Sequence, residues 1–182
     1  TSKRPVSLMG GIDWMITRTN GGLYLAFDHT FFSHTILIND SVSILAETPR
    51  PVALKGLRRL TMAGILFPLQ TYRVHPYLGF GFSLAHIAYA EPQASPYLAA
   101  GTMWLNATQE NLALNTVRLN RSVATPLVML GSQLRLPLAS AFGQITVVPT
   151  SDNFFLFTGS GFRTTFEGGL RYNFGTSIDR KY

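Results

Sequence analysis

The chain reads as an all-β protein, an antiparallel up-and-down β-barrel, and three observations carry that expectation. Hydrophobic residues recur with a period of two in seven separate stretches, as they do when successive side chains point to opposite faces of a strand. The connections between these stretches alternate between short and long. Only 13% of the 182 residues are charged although 46% are hydrophobic, so Ser, Thr, Asn, Gln, Gly and Pro stand where charges usually do. A chain of this length and apolar content builds one domain, at most with a tail, rather than two domains or a disordered chain.

The elements follow in order. In Val6–Thr17 the even positions Val6, Leu8, Gly10, Ile12, Trp14 and Ile16 form an apolar face, and the odd positions, Asp13 among them, a mixed one. Thr19-Asn20-Gly21-Gly22 carries the Asn-Gly signal of a tight hairpin, which calls for positive φ. Next, Leu23, Leu25, Phe27 and Phe31 oppose Tyr24, Ala26, Asp28 and Thr30. Gly56–Leu69 is a third strand, with Leu60, Met62, Gly64 and Leu66 against Arg59, Thr61 and Ala63; Ile65 and Phe67 blur its alternation, which suggests a bulge. In Tyr77–Tyr89, Leu78, Phe80, Phe82 and Leu84 oppose Tyr77, Gly79, Gly81, Ser83 and Ala85, and small residues on the second face imply a crowded interior.

Asn106–Arg118 suits a helix or a further hairpin equally. Leu127–Leu136 and Ala139–Val148 are two more strands, the first placing Gln133 and Arg135, the second Ser140, Gln144 and Thr146, opposite aliphatic residues. In the last, Phe162, Thr164, Phe166, Leu170, Tyr172 and Phe174 alternate with Arg163, Thr165, Glu167, Gly169, Arg171 and Asn173. The connections Arg18–Gly22, Thr71–Pro76 and the one near Pro137 are short, whereas Asp40–Ala53, Glu91–Ala124 and Pro149–Ser160 are long. Short turns on one rim and long loops on the other characterise a transmembrane up-and-down barrel. Such barrels have even strand numbers, so eight strands are expected, the eighth lying upstream of Thr1 or within Ser41–Leu57 or Tyr97–Asn120. Residues 1–175 would form the barrel domain and 176–182 a C-terminal tail.

Which face meets water decides the class. Charged residues turned outward would make a soluble barrel or sandwich of lipocalin type. Three features favour charges inward and lipid outside: Lys is nearly absent from the strands, the charged face is interspersed with Gly, Ala and Ser, and aromatics lie near strand ends. Asp13, Asp28, Arg59, Arg135, Arg163, Glu167 and Arg171 then form a charge network in the lumen. Trp14, Tyr24, Tyr77, Tyr89, Tyr172 and Phe174 form an aromatic girdle. At eight strands the interior is just filled by side chains, so the charges are expected to plug it in pairs rather than line an open pore.

His75-Pro76-Tyr77-Leu78-Gly79-Phe80-Gly81-Phe82 and Gly168-Gly169-Leu170-Arg171-Tyr172-Asn173-Phe174 resemble the strands of small, eight-stranded outer-membrane β-barrel proteins of Gram-negative bacteria, and the likeness extends over most of Val6–Phe174. The first is similar to a strand entering on Pro-Tyr with glycines packed inside, the second to the family's final strand. That strand usually ends the chain on an aromatic; here Gly175–Lys181 intervene before Tyr182, so either Phe174 or Tyr182 could play this part. The resemblance implies a bacterial outer-membrane location with the signal peptide already removed, contact with outer-membrane lipid, and a structural or protein-interaction role through the long loops. Because some such barrels modify lipids with Ser and His near the outer rim, an enzyme or a small-ligand carrier is the alternative, and Ser33-His34 and His86 are its candidates.

Other chemistry finds little support. The net charge of +6 comes from 15 basic and 9 acidic residues, and beyond Arg58-Arg59 and two terminal groups the basic residues are scattered, which argues against nucleic acid. The chain has no cysteine, hence no disulfide, thiolate site or cysteine nucleophile. His29, His34, His75 and His86 lack close ligand spacing, so neither a metal nor a cofactor is expected. A mean hydropathy of +0.17, with no apolar run of about 18 residues, argues against a helical membrane bundle.

Overall fold

The computed structural model describes residues 8–18, 20–38, 50–68, 73–93, 107–136, 139–151, 154–155 and 161–172. They form seven strands and one helix: β1 (Leu8–Arg18), β2 (Gly21–Ile38), β3 (Arg50–Leu66), β4 (Val74–Pro92), α1 (Ala107–Asn120), β5 (Ser122–Arg135), β6 (Ala139–Pro149) and β7 (Phe162–Tyr172). Each strand pairs antiparallel with the next, giving one seven-stranded sheet in sequence order. Short turns therefore gather at one end and long connections at the other.

The seven predicted strands are these seven. No eighth strand occurs among the described residues: 50–57 lengthen β3 and 107–120 are helical, while the remaining candidate stretches lie outside those residues. The helix-or-hairpin ambiguity resolves as α1, a segment of helix formers such as Ala, Gln, Glu, Leu and Arg without internal Gly or Pro. Asn120 Nδ2 donates to the Thr116 carbonyl at 2.9 Å at its C-terminus, where helix carbonyls lack partners.

Two local expectations need correction. The first hairpin forms with Arg18 opposite Gly21, but neither Asn20 nor Gly21 takes a positive φ, because Gly21 already belongs to β2. The expected bulge is not near Ile65 and Phe67, which are buried on the same face as Thr61 and Ala63 in unbroken alternation. It lies upstream, where Phe31 and Phe32 of β2 stand opposite Gly56 of β3, between the Thr30–Leu57 and Ser33–Lys55 pairs. Gly56 takes φ +63°, a conformation side chains with a Cβ rarely adopt, and a Cβ there would meet the His29 ring at 2.9 Å.

The faces are sharply unequal. On the inner face Tyr24, Ala26, Asp28, Thr61, Ala63, Ile65, Tyr77, Ser83, Leu127, Met129, Gln144 and Thr146 are buried. On the outer face Ile12, Trp14, Ile16, Phe27, Leu60, Met62, Phe80, Leu84, Leu130 and Leu170 are exposed, with Phe82 at 66% and Phe166 at 75%. Inner-face side chains of β7 reach β1 and β3, so the sheet is curled with its polar side within. Pro126 fits mid-strand because β5 pairs with β6 only from Val128 onward.

The interior has two apolar clusters. Phe67, Tyr77, Ala63, Ile65, Met129 and Val148 belong to one. Val52, Leu54, Leu57, Ile87, Val117 and Phe154 make the other, where the prolonged strands β2, β3 and β4 meet α1 at the long-connection end. Ionic residues share the inner face with them, Arg171 lying over the Tyr24 ring of the first cluster.

Candidate functional site

Strand parity alone delivers the inner-face charges. Asp13 sits on β1, Asp28 on β2, Arg59 on β3, and Glu167 and Arg171 on β7, each on the face opposite its apolar neighbours. Arg59 Nε donates to Asp28 Oδ2 at 2.9 Å, across the directly paired positions Asp28 and Arg59. Its Nη2 pairs with Glu167 of β7, far outside sheet neighbourhood, and also approaches Met9 Sδ at 3.7 Å. Arg171 donates to Asp13 Oδ2 from Nε at 2.8 Å and Nη2 at 2.5 Å. Its guanidinium lies 3.5 Å from the centroid of the Phe142 ring.

Gln144 joins the two ion-pair groups. Its Nε2 donates to Glu167 Oε2 at 2.6 Å and to Tyr24 Oη at 3.1 Å, while its Oε1 accepts from Tyr77 Oη at 2.7 Å and Arg171 Nη2 at 3.3 Å. Both amide hydrogens and both carbonyl lone pairs are used, and only this orientation of the amide suits all four partners. Tyr77, Gly131, Gln144 and Glu167 occupy one cross-strand row. Tyr77 reaches Gln144 over Gly131, where a Cβ would stand 2.4 Å from the ring.

Of the predicted charge network, the structure thus brings together Asp13, Asp28, Arg59, Glu167 and Arg171. Arg135, half-buried near the short-turn end of β5, and Arg163, exposed at the start of β7, lie on the same face and have interactions of their own. The girdle divides. Trp14, Tyr89 and Tyr172 are exposed on the outer face; Phe174 lies outside the described residues. Tyr24 and Tyr77 are not girdle residues: both are buried on the inner face and bonded to Gln144. The alternation had already put them opposite Leu23 and Leu78, and proximity to strand ends was the weaker guide. Gln144 was visible as a polar residue opposite Ile145 and Val147, but nothing in its own strand announces partners on β2, β4 and β7.

Among the enzyme candidates, Ser33 and His34 are exposed on successive positions of β2 and so point to opposite faces. His86 Nδ1 lies 2.7 Å from Ser122 Oγ, a spacing at which a histidine could activate a hydroxyl. Its other nitrogen, Nε2, lies 3.2 Å from Arg121 Nη2. A guanidinium in the place of an orienting carboxylate opposes the imidazolium that such a base must become. Among the described residues, no group of three His, Asp or Glu side chains could hold a metal ion, and no helix is long and apolar enough to cross a membrane.

No family model, curated protein or solved structure matches the chain.

Proposed function

We propose that the chain is a membrane-embedded β-barrel of the bacterial outer membrane, with its interior plugged by paired charges and a structural or protein-interaction role at its long-connection end. The observation that carries this is the pairing of an exposed apolar outer face with a buried polar inner one. Phe27, Leu60, Phe82, Phe166 and Leu170 are exposed, whereas Asp28 and Arg171 are 6% and 8% exposed. In water such a continuous apolar surface would drive aggregation; against hydrocarbon it is the required face. Strands of 11 to 19 residues meet or exceed the roughly 9–11 that a tilted strand needs to cross a bilayer.

The Arg171–Asp13 pair links the two edge strands, which supports closure of the sheet into a barrel, with an eighth strand from residues beyond the described ones. Among the described residues Asp13, Asp28, Arg59, Glu167 and Arg171 pair across the interior, which favours a plug over a conducting path. At the other end, the extended β2, β3 and β4 with α1 offer the surface for a protein partner.

A lipid-modifying enzyme is the alternative, favoured by the Ser122–His86 contact and weakened by Arg121 behind it. The deciding experiment is reconstitution: the protein is expected to need detergent or lipid, to migrate on gels differently when heated, and to give no steady conductance in planar bilayers. A monomer stable in plain buffer overturns the proposal. Loss of phospholipid or lipid A hydrolysis on Ser122→Ala would replace it with the enzyme.

A further inference from the structure

On the outer face the apolar rows are interrupted by a row of different chemistry. His29 of β2, Arg58 of β3, His86 of β4 and Ser122 of β5 are directly paired across four strands. The adjacent row toward the short turns is Phe27, Leu60, Leu84 and Ala124. Arg121 adds a second guanidinium, and because arginine N–H groups only donate, His86 Nε2 must accept from it. Nδ1 of the same ring lies 2.7 Å from Ser122 Oγ. This chain of contacts fixes Arg121 beside the row.

The bulge at Gly56 adds a third cation. Leu57 is buried on the inner face, so regular alternation would also turn Lys55 inward; instead Lys55 is exposed, and so is Tyr89 opposite it, although Ile87 is buried. Lys55 Nζ stands 5.1 Å from the centroid of the Tyr89 ring, and His29 packs edge-on against Phe31 with centroids 4.6 Å apart. These side chains line an open groove on the outer face with Gly56 at its floor. Glu91 is exposed two positions beyond Tyr89, but among the described residues no carboxylate forms an ion pair with Lys55, Arg58 or Arg121.

Lys55 and Arg58, exposed beside an apolar band, and the half-buried Arg121 held against His86 at its edge contribute nothing to the inner network, and in hydrocarbon they would be costly. Tyr and Lys at such a boundary mark the level of lipid headgroups. We propose that Lys55, Arg58 and Arg121, with His29 beside them, bind the anionic headgroup phosphate of a lipid in the surrounding leaflet, its acyl chains lying over Phe27, Leu60 and Leu84. The site rests on the membrane-barrel assignment above.

The test is lipid selectivity of the protein reconstituted in phosphatidylcholine vesicles, read by electron paramagnetic resonance of spin-labelled phosphatidylglycerol and phosphatidylcholine. Wild type is expected to hold phosphatidylglycerol preferentially, and the doubly substituted Arg58→Gln, Arg121→Gln protein to lose about tenfold or more of that preference, since each surface charge is worth about fivefold. The charge-keeping Arg58→Lys should retain it, and Lys55→Gln, at an exposed position, provides the same test where the double variant does not fold. Equal selectivity in wild type and variants overturns the headgroup site while leaving the barrel intact. Loss of the preference on adding inorganic phosphate at constant ionic strength reassigns the row to a free anion and overturns the lipid as occupant. No motionally restricted signal from either lipid overturns the membrane assignment and the site together.

Discussion

Arg171 of β7 holds Asp13 of β1 through two hydrogen bonds to one carboxylate oxygen, and so connects the strands at opposite edges of the sheet. The pair is separated by 158 positions in sequence. Both side chains are largely buried, so removing one partner strands a charge in the interior. Arg171→Met is expected to cost about 3–5 kcal/mol, seen as a lower denaturant midpoint, whereas adding Asp13→Asn should recover part of the loss. A single variant as stable as wild type would show that the edges are held by other contacts.

Gln144 is the hub through which both ion-pair groups communicate. Gln144→Leu keeps much of the volume and leaves Tyr24 and Tyr77 without their amide partner. A loss of at least about 2 kcal/mol is expected, since each buried polar group left unbonded costs about 1–3 kcal/mol. Tyrosine fluorescence and ultraviolet difference spectra would register the altered environment of the two phenols. An unchanged midpoint would mean that the four bonds contribute little net stability.

Gly131 matters for space rather than backbone freedom. In Gly131→Ala the new Cβ would fall 2.4 Å from Tyr77 Cζ, so the ring must leave its path to Gln144. Overpacking of this kind costs about 1–3 kcal/mol. Tyr77→Phe in the same background should then cost almost nothing more, because the hydroxyl has already lost its acceptor. Additive losses would place the ring elsewhere.

The outer face separates water from lipid most directly. Phe82→Arg replaces an exposed aromatic in the middle of β4. In water such a change should be neutral or improve solubility; in a bilayer an arginine on the lipid face costs up to about 2–4 kcal/mol near the midplane. Folding yield into phosphatidylcholine vesicles is expected to fall for Phe82→Arg and to be unaffected by Ser33→Arg, which is exposed beyond the bulge.

Much of this organisation was legible locally. In a strand the side-chain direction is set by position alone, so period two assigned Asp13, Asp28, Arg59, Glu167 and Arg171 to one face and Leu60, Phe82 and Phe166 to the other before any pairing was known. The alternation of connection lengths likewise anticipated the meander. Tyr24 and Tyr77 obey the alternation too, and strand parity outweighs their nearness to strand ends.

Pairing and curvature supplied the rest, because they depend on residues distant in the chain. Register set Asp28 against Arg59, and curling carried Glu167 across to Arg59 and Gln144 to Tyr24, contacts that span 31, 108 and 120 positions. The left-handed glycine at position 56 reverses the facing of Lys55, a change invisible to a periodicity count that begins at that residue. A strand's own residues determine which way each side chain points; which other side chains it meets is settled by how the strands are staggered and how far the sheet bends.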